Sequence, residues 1–173
     1  MKPSLLPLIL LLLTVLGASL LVPVHAEAPR HQAGLVVRLN AAEVITRCVS
    51  FHEAQISGAT LLQRSGLELE VLESPGMGLF VCGIAGVGCA VSNCMCAYPE
   101  ATWGYWLRQE SGWRSSPVGA SGRTVRPGDV DGWVWGRPNG SSAGPLPDVS
   151  FGQICAPEEA EAQWRVWLPL VRR

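Results

Sequence analysis

The pattern of hydrophobic and polar positions predicts a domain built mainly from strands. Two β-branched runs, residues 35–39 and 44–51, flank a polar turn and indicate a β-hairpin. Another strand is expected at residues 67–72, because apolar and polar side chains alternate there. Three further segments have the composition of strands, namely residues 79–84, 103–108 and 130–135.

A single helix is predicted between these strands, over residues 57–66. Ser57 is suited to the N-cap position, and Gly66 is suited to end the helix. Residues 126–129, Arg-Pro-Gly-Asp, place proline and glycine as a type II turn requires, directly before the last strand. Strands, one helix and more strands in a small domain predict an α+β fold, with the helix packed across one face of a mixed sheet.

The two ends of the chain differ from this central part. Residues 1–26 contain Lys2, an apolar run and a final Val-His-Ala, which together predict a secretory signal peptide. A retained anchor is the alternative, because about 18 apolar residues approach the length that spans a bilayer. Residues 137–173 begin as a Gly/Pro-rich loop and continue as a C-terminal extension, whose apolar stretch is too short to span.

Charge and composition exclude some classes of function. The 173 residues include 13 basic and 14 acidic side chains, whereas a nucleic-acid-binding protein needs a basic surface. The chain has no phosphate-binding loop, dinucleotide fingerprint or nucleophile elbow. Asp129 and Asp131 lie two apart and could hold a metal, but turn and strand-edge roles are favoured. We therefore expect neither an enzyme nor a metal protein.

The cysteines point to disulfides. Four of the six lie within residues 80–96 with the spacing C-x6-C-x4-C-x-C, which lacks both paired zinc hooks and a redox C-x-x-C. An even number of cysteines in a small exported chain favours bridges, so we expect an extracytoplasmic, disulfide-stapled domain. Of the fifteen pairings that six cysteines allow, the expected one is Cys89–Cys94, Cys82–Cys96 and Cys48–Cys155.

Tryptophans are concentrated in one part of the chain. Five of the seven lie between residues 103 and 135. In an extended strand Trp103 and Tyr105 share one face, whereas Trp106 points to the other. These rings could form a recognition surface for a large ligand or a partner protein, or they could fill the core of a small sheet domain.

Several segments together resemble the transcobalamin-like C-terminal domain. They are residues 58–62, 79–87, 103–106, 117–121 and 125–135, in that order. The resemblance covers residues 33–136 and implies a β-grasp-like, or ubiquitin-like, layout. In the eukaryotic carriers of this family such a domain covers one face of cobalamin, while a helical barrel holds the other face. This chain has no barrel, and its cysteine-dense segment 89–96 departs from the family pattern.

The resemblance implies a corrinoid such as cobalamin as the ligand, bound by aromatic rings and loop hydroxyls near the strand ends. The residues expected to contact it are Trp103, Tyr105, Trp106, Trp113, Ser116, Val118 and Ser121. We therefore predict a secreted, non-enzymatic binding module that either presents its small-molecule ligand to a membrane importer or has its site completed by a partner protein. The alternative is a cell-surface module whose aromatic residues contact a partner protein or a glycan.

Overall fold

A computed structural model describes residues 30–137 and 145–155. The predicted signal peptide, most of the Gly/Pro-rich loop and the C-terminal extension beyond Cys155 lie outside these described residues. Among the residues that are described, no helix has the length and apolar character needed to cross a membrane.

The described residues form an α+β fold with ten strands in three sheets. The strands are β1 His31–Arg38, β2 Val44–Phe51, β3 Ile56–Ser57, β4 Leu69–Ser74, β5 Gly78–Ile84, β6 Val87–Gly88, β7 Thr102–Gln109, β8 Gly112–Ser115, β9 Thr124–Val125 and β10 Val130–Gly136. The helices are α1 Gly58–Gln63 and α2 Phe151–Ile154, and 3₁₀ turns lie at Val91–Asn93 and Ala120–Gly122.

The largest sheet has the strand order β2-β1-β10-β7-β8. Its central pair, β1 and β10, is parallel, and the other neighbours are antiparallel. A three-stranded sheet, β4-β5-β6, and a two-stranded sheet, β3-β9, complete the fold. The predicted hairpin is confirmed as β1 and β2, and the strands predicted at residues 79–84, 103–108 and 130–135 are confirmed as β5, β7 and β10.

The predicted helix is confirmed, but it is shorter than expected. Ser57 is its N-cap, and the Ser57 hydroxyl accepts a hydrogen bond from the Thr60 amide at 3.0 Å. The helix ends at Gln63, and Arg64 is its C-cap. The following strand then begins at Leu69 rather than at residue 67, although Leu67 still packs against the core.

The main core lies between the large sheet and a layer made of α1 and the β4-β5 hairpin. β1 and β2 contribute Leu35, Val37 and Phe51 to it, and Leu61 and Leu62 of α1 pack against them with no exposed surface. Alternation along β4 and β5 adds Leu69, Val71 and Val81 from the second layer. The main core therefore packs on one face of the large sheet.

A second cluster covers the other face of the large sheet. Residues 145–155, here called the strap, place Leu146 and Ile154 against Val36, Val130 and Val134. Glycines make room for the strap, since a Cβ atom on Gly132 would lie 2.4 Å from the Leu146 Cδ1 atom. Residues 151–155 are held on the domain by α2 and by the disulfide of Cys155 that follows it.

The disulfides differ from the expected set in two of three pairs. Cys48 is bonded to Cys155, as expected, and this bridge fixes the end of the strap to β2. The other bridges are Cys82–Cys94 and Cys89–Cys96, not Cys82–Cys96 and Cys89–Cys94.

The two corrected pairs follow from the path of the chain after β5. The Cys89 amide donates to the Cys82 carbonyl at 2.8 Å, so β6 ends beside Cys82. The 3₁₀ turn Val91–Asn93 then brings Cys94 within a Cα separation of 4.7 Å from Cys82, a distance that suits a disulfide. All six cysteines are bonded, which leaves no thiolate for a metal or redox role.

Candidate functional site

The tryptophan-rich strands place most of their rings inside the domain. Trp103 is only 8% exposed and lies 5.4 Å from Trp135, measured between ring centroids. Tyr105 stacks on Trp133 with centroids 4.6 Å apart. These four rings lie on the face of the large sheet that packs against the main core. Their first role is therefore to fill the core, which was one of the two alternatives that the sequence left open.

Trp106 and Trp113 lie on the opposite face of the large sheet. Both pack, partly buried, beside the strap. The indole nitrogen of Trp113 donates to the Pro147 carbonyl at 2.8 Å, which orients the ring toward the strap rather than toward solvent. The structure thus divides the four aromatic residues expected to contact a ligand between two faces and does not bring them together on one surface.

The remaining expected ligand residues lie in the loop between β8 and β9. The Ser116 hydroxyl donates to the Val118 carbonyl at 2.7 Å, and Val118 is 47% exposed. Ser121 is exposed and belongs to the 3₁₀ turn Ala120–Gly122, later in the same loop. Its hydroxyl accepts a hydrogen bond from the Leu79 amide at 2.8 Å. This loop therefore reaches the turn end of the β4-β5 hairpin.

A cavity of about 500 Å³ opens where this loop, α1 and the β4-β5 hairpin meet. We call it the α1 cavity. Its lining residues are Ser57, Ala59, Thr60, Gln63, Glu73, Ser74, Pro75, Gly78, Leu79 and Ser121. They supply four hydroxyls, one amide, one carboxylate and several apolar contacts, and none of them is basic. The cavity is thus suited to a ligand that is uncharged or carries N–H donors.

Local backbone geometry explains how the sequence forms this cavity. Gly78 has a φ of 79°, in the region that favours glycine. A Cβ atom there would lie 2.4 Å from the Ser121 hydroxyl oxygen, so only glycine allows the loop and the hairpin to approach. On the other wall the Ser57 and Thr60 hydroxyls are 2.9 Å apart, which holds both at the start of α1.

A buried polar network lies beneath the α1 cavity. The Asp131 carboxylate is fully buried and accepts a hydrogen bond from the Tyr105 hydroxyl. The Arg123 guanidinium lies 2.8 Å from an Asp129 oxygen and 3.4 Å from an Asp131 oxygen. The Gly58 amide donates to the Arg123 carbonyl at 3.1 Å. The network therefore connects β7 and β10 to the first residue of α1, beside the cavity wall.

Burial controls the protonation of this network. Loss of water raises the pKa of Asp131 to about 6, although the Tyr105 hydrogen bond and the Arg123 charge act in the opposite direction. Burial, followed by the negative charge of Asp131, raises the pKa of the Tyr105 hydroxyl above its ordinary value. Asp129 and Asp131 both pair with Arg123, which agrees with structural roles for these two carboxylates. Within the described residues, no group of three potential ligands could hold a metal.

Of the seven residues that the sequence predicted to contact a ligand, Ser121 alone is among the residues that line the α1 cavity. Sequence reasoning identified Ser57 only as a helix cap and did not assign a role to Thr60, Ser74 or Gly78. The one sequence signal that could have drawn attention to this region is the Pro-Gly-Met-Gly turn at residues 75–78, where closely spaced glycines permit another segment to approach.

Comparisons with known proteins give partial similarity to solved structures. No family model matches the chain, and no curated protein matches it in sequence. A crystal structure of haptocorrin in complex with Cbi is similar, with a TM-score of 0.47 and 15% sequence identity. The similarity covers 65% of this chain and 26% of the haptocorrin chain. A similarity at this level assigns neither a family nor a ligand to this chain.

Proposed function

We propose that this chain is an extracytoplasmic, non-enzymatic binding module whose α1 cavity receives one edge of a corrinoid. The proposal combines the sequence resemblance to the transcobalamin-like C-terminal domain with a site that the described residues form. It includes a β-grasp-like assignment of the fold, supported by a five-stranded sheet with a parallel central pair and a helix between its second and third strands in the chain. Three disulfides are typical of a protein outside the cytosol.

The composition of the α1 cavity is the observation that carries the proposal. A corrin ring bears amide side chains along its edge, and amides bind well to hydroxyl groups that both donate and accept. The cavity provides such hydroxyls on Ser57, Thr60, Ser74 and Ser121, next to the apolar side chain of Leu79. Polar groups placed among apolar contacts are what a small-molecule site requires. The lack of a basic lining residue disfavours ligands that would place a phosphate inside the cavity, so the phosphate of cyanocobalamin would have to lie outside it.

The size of the cavity limits how much ligand it can cover. About 500 Å³ lies within the range of ordinary ligand sites, but a whole corrinoid is larger. The cavity can therefore hold an edge and leave the other face of the ring open. A partner, such as the membrane importer expected from the sequence, would complete the site.

Isothermal titration with cyanocobalamin and with dicyanocobinamide tests this function. We expect saturable heat with the wild-type protein and at least about tenfold weaker binding, about 1.4 kcal/mol, after Gln63→Trp. Gln63 is exposed at the end of α1 and lines the cavity, so a tryptophan there fills the space without disturbing the core.

Gln109→Trp is the matched control. Gln109 is also exposed, but it ends β7 and is not among the cavity-lining residues. We expect this variant to bind like the wild type, with the same thermal midpoint as Gln63→Trp. No heat at high micromolar ligand, or equal weakening in both variants, would contradict the proposal.

A further inference from the structure

Exposed apolar side chains are concentrated on one part of the domain. Within the described residues, seven large hydrophobic side chains are exposed. They are Leu72, Met77, Phe80, Val91, Met95, Tyr98 and Val118. All but Val118 belong to the β4-β5 hairpin or to the cysteine-bonded loop after it. Scattered exposed hydrophobics are normal, whereas a group of this kind indicates an interaction surface.

The strand register places several of these residues on one face. Leu72 lies directly opposite Phe80 in the antiparallel β4-β5 pair, so their side chains leave the sheet on the same side. Their neighbours Val71 and Val81 face the core, which turns Leu72 and Phe80 outward. They are 41% and 46% exposed.

The cysteine-bonded loop extends this outward face. The Cys82–Cys94 bond holds the loop beside β5, and the 3₁₀ turn Val91–Asn93 packs against β4. Val91 and Met95 flank the bonded Cys94 and are themselves exposed. We call Leu72, Phe80, Val91 and Met95 the outer patch.

An acidic groove adjoins the outer patch. It has a volume of about 200 Å³ and is lined by Glu68, Glu70, Gly83, Gly86, Val87, Gly88, Cys89 and Ala90. Glu70 pairs with Gly83 next to a shift in the β4-β5 register, and along β4 both Glu70 and Leu72 are exposed. Residues 65–101 contain four glutamates and no lysine, arginine or histidine. Glu100 is paired with Arg137 at 3.0 Å, so Glu68, Glu70 and Glu73 define the charge near the patch.

We propose that the outer patch and the acidic groove bind residues 164–173 of the same chain. This segment lies outside the described residues, and its sequence is Trp-Arg-Val-Trp-Leu-Pro-Leu-Val-Arg-Arg. It combines two tryptophans and four aliphatic side chains with three arginines. Aromatic and aliphatic groups match the apolar patch, while arginine matches a carboxylate-lined groove in charge and hydrogen-bond geometry. The proposal does not depend on what the α1 cavity binds.

The length of the chain permits this contact within one molecule. Cys155 is fixed to β2 by its disulfide, and twelve residues separate it from the centre of the segment at Trp167. Twelve extended residues span about 40 Å. A compact domain of about 120 residues has a radius of gyration of about 14 Å, hence a diameter of about 35 Å. The centre of the segment can therefore reach surfaces that lie within about 40 Å of Cys155 along the outside of the domain.

Hydrogen exchange of the full chain, followed by mass spectrometry, tests the contact from both sides. We expect residues 164–173 to exchange at least about fivefold more slowly than an unstructured peptide of the same sequence. Leu72→Gln/Phe80→Gln should remove this protection, and Trp164→Ser/Trp167→Ser should speed exchange in residues 69–84 and 91–96. Val118→Gln is the control, because Val118 is an exposed hydrophobic residue outside the outer patch. Val118→Gln should change neither the protection of residues 164–173 nor the exchange rates of residues 69–84 and 91–96.

Three results would overturn the inference. One is exchange of residues 164–173 at the unstructured rate in the wild type. Another is full protection that survives in the Leu72→Gln/Phe80→Gln variant while its thermal midpoint matches that of Val118→Gln. The third is protection that appears only at concentrations where light scattering shows a dimer, since the occupant would then come from a second copy of the chain.

Discussion

At the scale of single residues, Asp131 connects the fold to the candidate site. Its carboxylate has no exposed surface, and it is held by the Tyr105 hydroxyl and the Arg123 guanidinium beneath α1. A carboxylate in this position costs desolvation energy. Asp131 also helps to fix the loop that carries Ser121, because its partner Arg123 lies two residues after Ser121. The Arg123 carbonyl in turn accepts a hydrogen bond from the Gly58 amide. The same loss of water raises the pKa of Asp131 to about 6, because burial disfavours the charged carboxylate.

The effect of pH on stability follows from that shift. Between about pH 4 and pH 6 the folded protein keeps a proton on Asp131 that the unfolded chain releases, so the contribution of Asp131 to stability falls as pH rises through this window. The change amounts to at most about 3 kcal/mol. We expect urea unfolding of Asp131→Asn to lack this component, whereas Asp148→Asn, at an exposed carboxylate, keeps it. Equal pH slopes in wild type and Asp131→Asn would contradict the assignment.

A second carboxylate acts in a separate pH range. The exposed Glu53 accepts hydrogen bonds from Arg64, which lowers the pKa of Glu53 to about 2. Stability from this pair is present above about pH 4.5 and is lost as pH falls toward 2. The two pH windows therefore overlap only between about pH 4 and pH 4.5, and above that range the pH dependence belongs to Asp131.

At the scale of elements, the strap completes the domain by packing onto a glycine-lined face of the large sheet. Gly34 and Gly132 leave space for Ile154 and Leu146, and the Trp113 indole bonds the strap backbone at Pro147. Burying Leu146 and Ile154 removes apolar surface from water, which stabilises the folded chain. The strap packs on one face of the large sheet and the main core on the other. A cleft of about 250 Å³ remains beside Trp113, where Arg108, Glu110 and Asp148 also line it.

A substitution at Gly132 tests this packing. A methyl group there meets the Leu146 side chain and the Trp113 ring, so we expect Gly132→Ala to lower the free energy of unfolding by about 1–3 kcal/mol. Gly152→Ala is the control in the strap itself. Gly152 has an ordinary φ and open space around its Cα, so that variant should be neutral or slightly more stable. Urea denaturation that shows equal stabilities would contradict the packing role.

Local sequence patterns predicted the elements better than their arrangement. The β1-β2 hairpin, α1 and β10 follow from β-branched runs, a capping serine and a Pro-Gly turn, all of which act over a few residues. The pairing of Cys82 with Cys94 depends instead on a 3₁₀ turn and on where β6 ends. The strand β8 was not predicted, because its four residues, Gly-Trp-Arg-Ser, are too few to show a clear alternation.

The α1 cavity was not predicted for a related reason. Its walls come from three segments far apart in the chain, namely residues 57–63, 73–79 and Ser121. The number of tryptophans is visible in the sequence, but it left open whether their rings form a ligand surface or fill the core. The sequence does not show which face of the large sheet the strap covers. That choice of face decides whether Trp106 and Trp113 are exposed to solvent.

At the scale of the whole molecule, the disulfides hold a small domain whose large sheet packs against a core on each face. Cys48 and Cys155 are 107 residues apart, so their bond constrains nearly all of the described domain in the unfolded state. In the chain-entropy description such a loop stabilises by about 5 kcal/mol, against about 2–3 kcal/mol for the seven-residue separation of Cys89 and Cys96. With a packed core on each face of the large sheet, we propose recognition at the α1 cavity and at the outer patch.

Chemical-shift mapping with dicyanocobinamide tests the central claim most directly. On ¹⁵N-labelled protein, we expect saturable changes at the amides of residues 57–63, 73–79 and 121, and little change in the strap. The reason is that these segments surround the α1 cavity, whereas the strap lies on the other face of the large sheet. Unchanged spectra at saturating ligand, or changes centred on Trp106, Trp113 and the strap, would contradict the account.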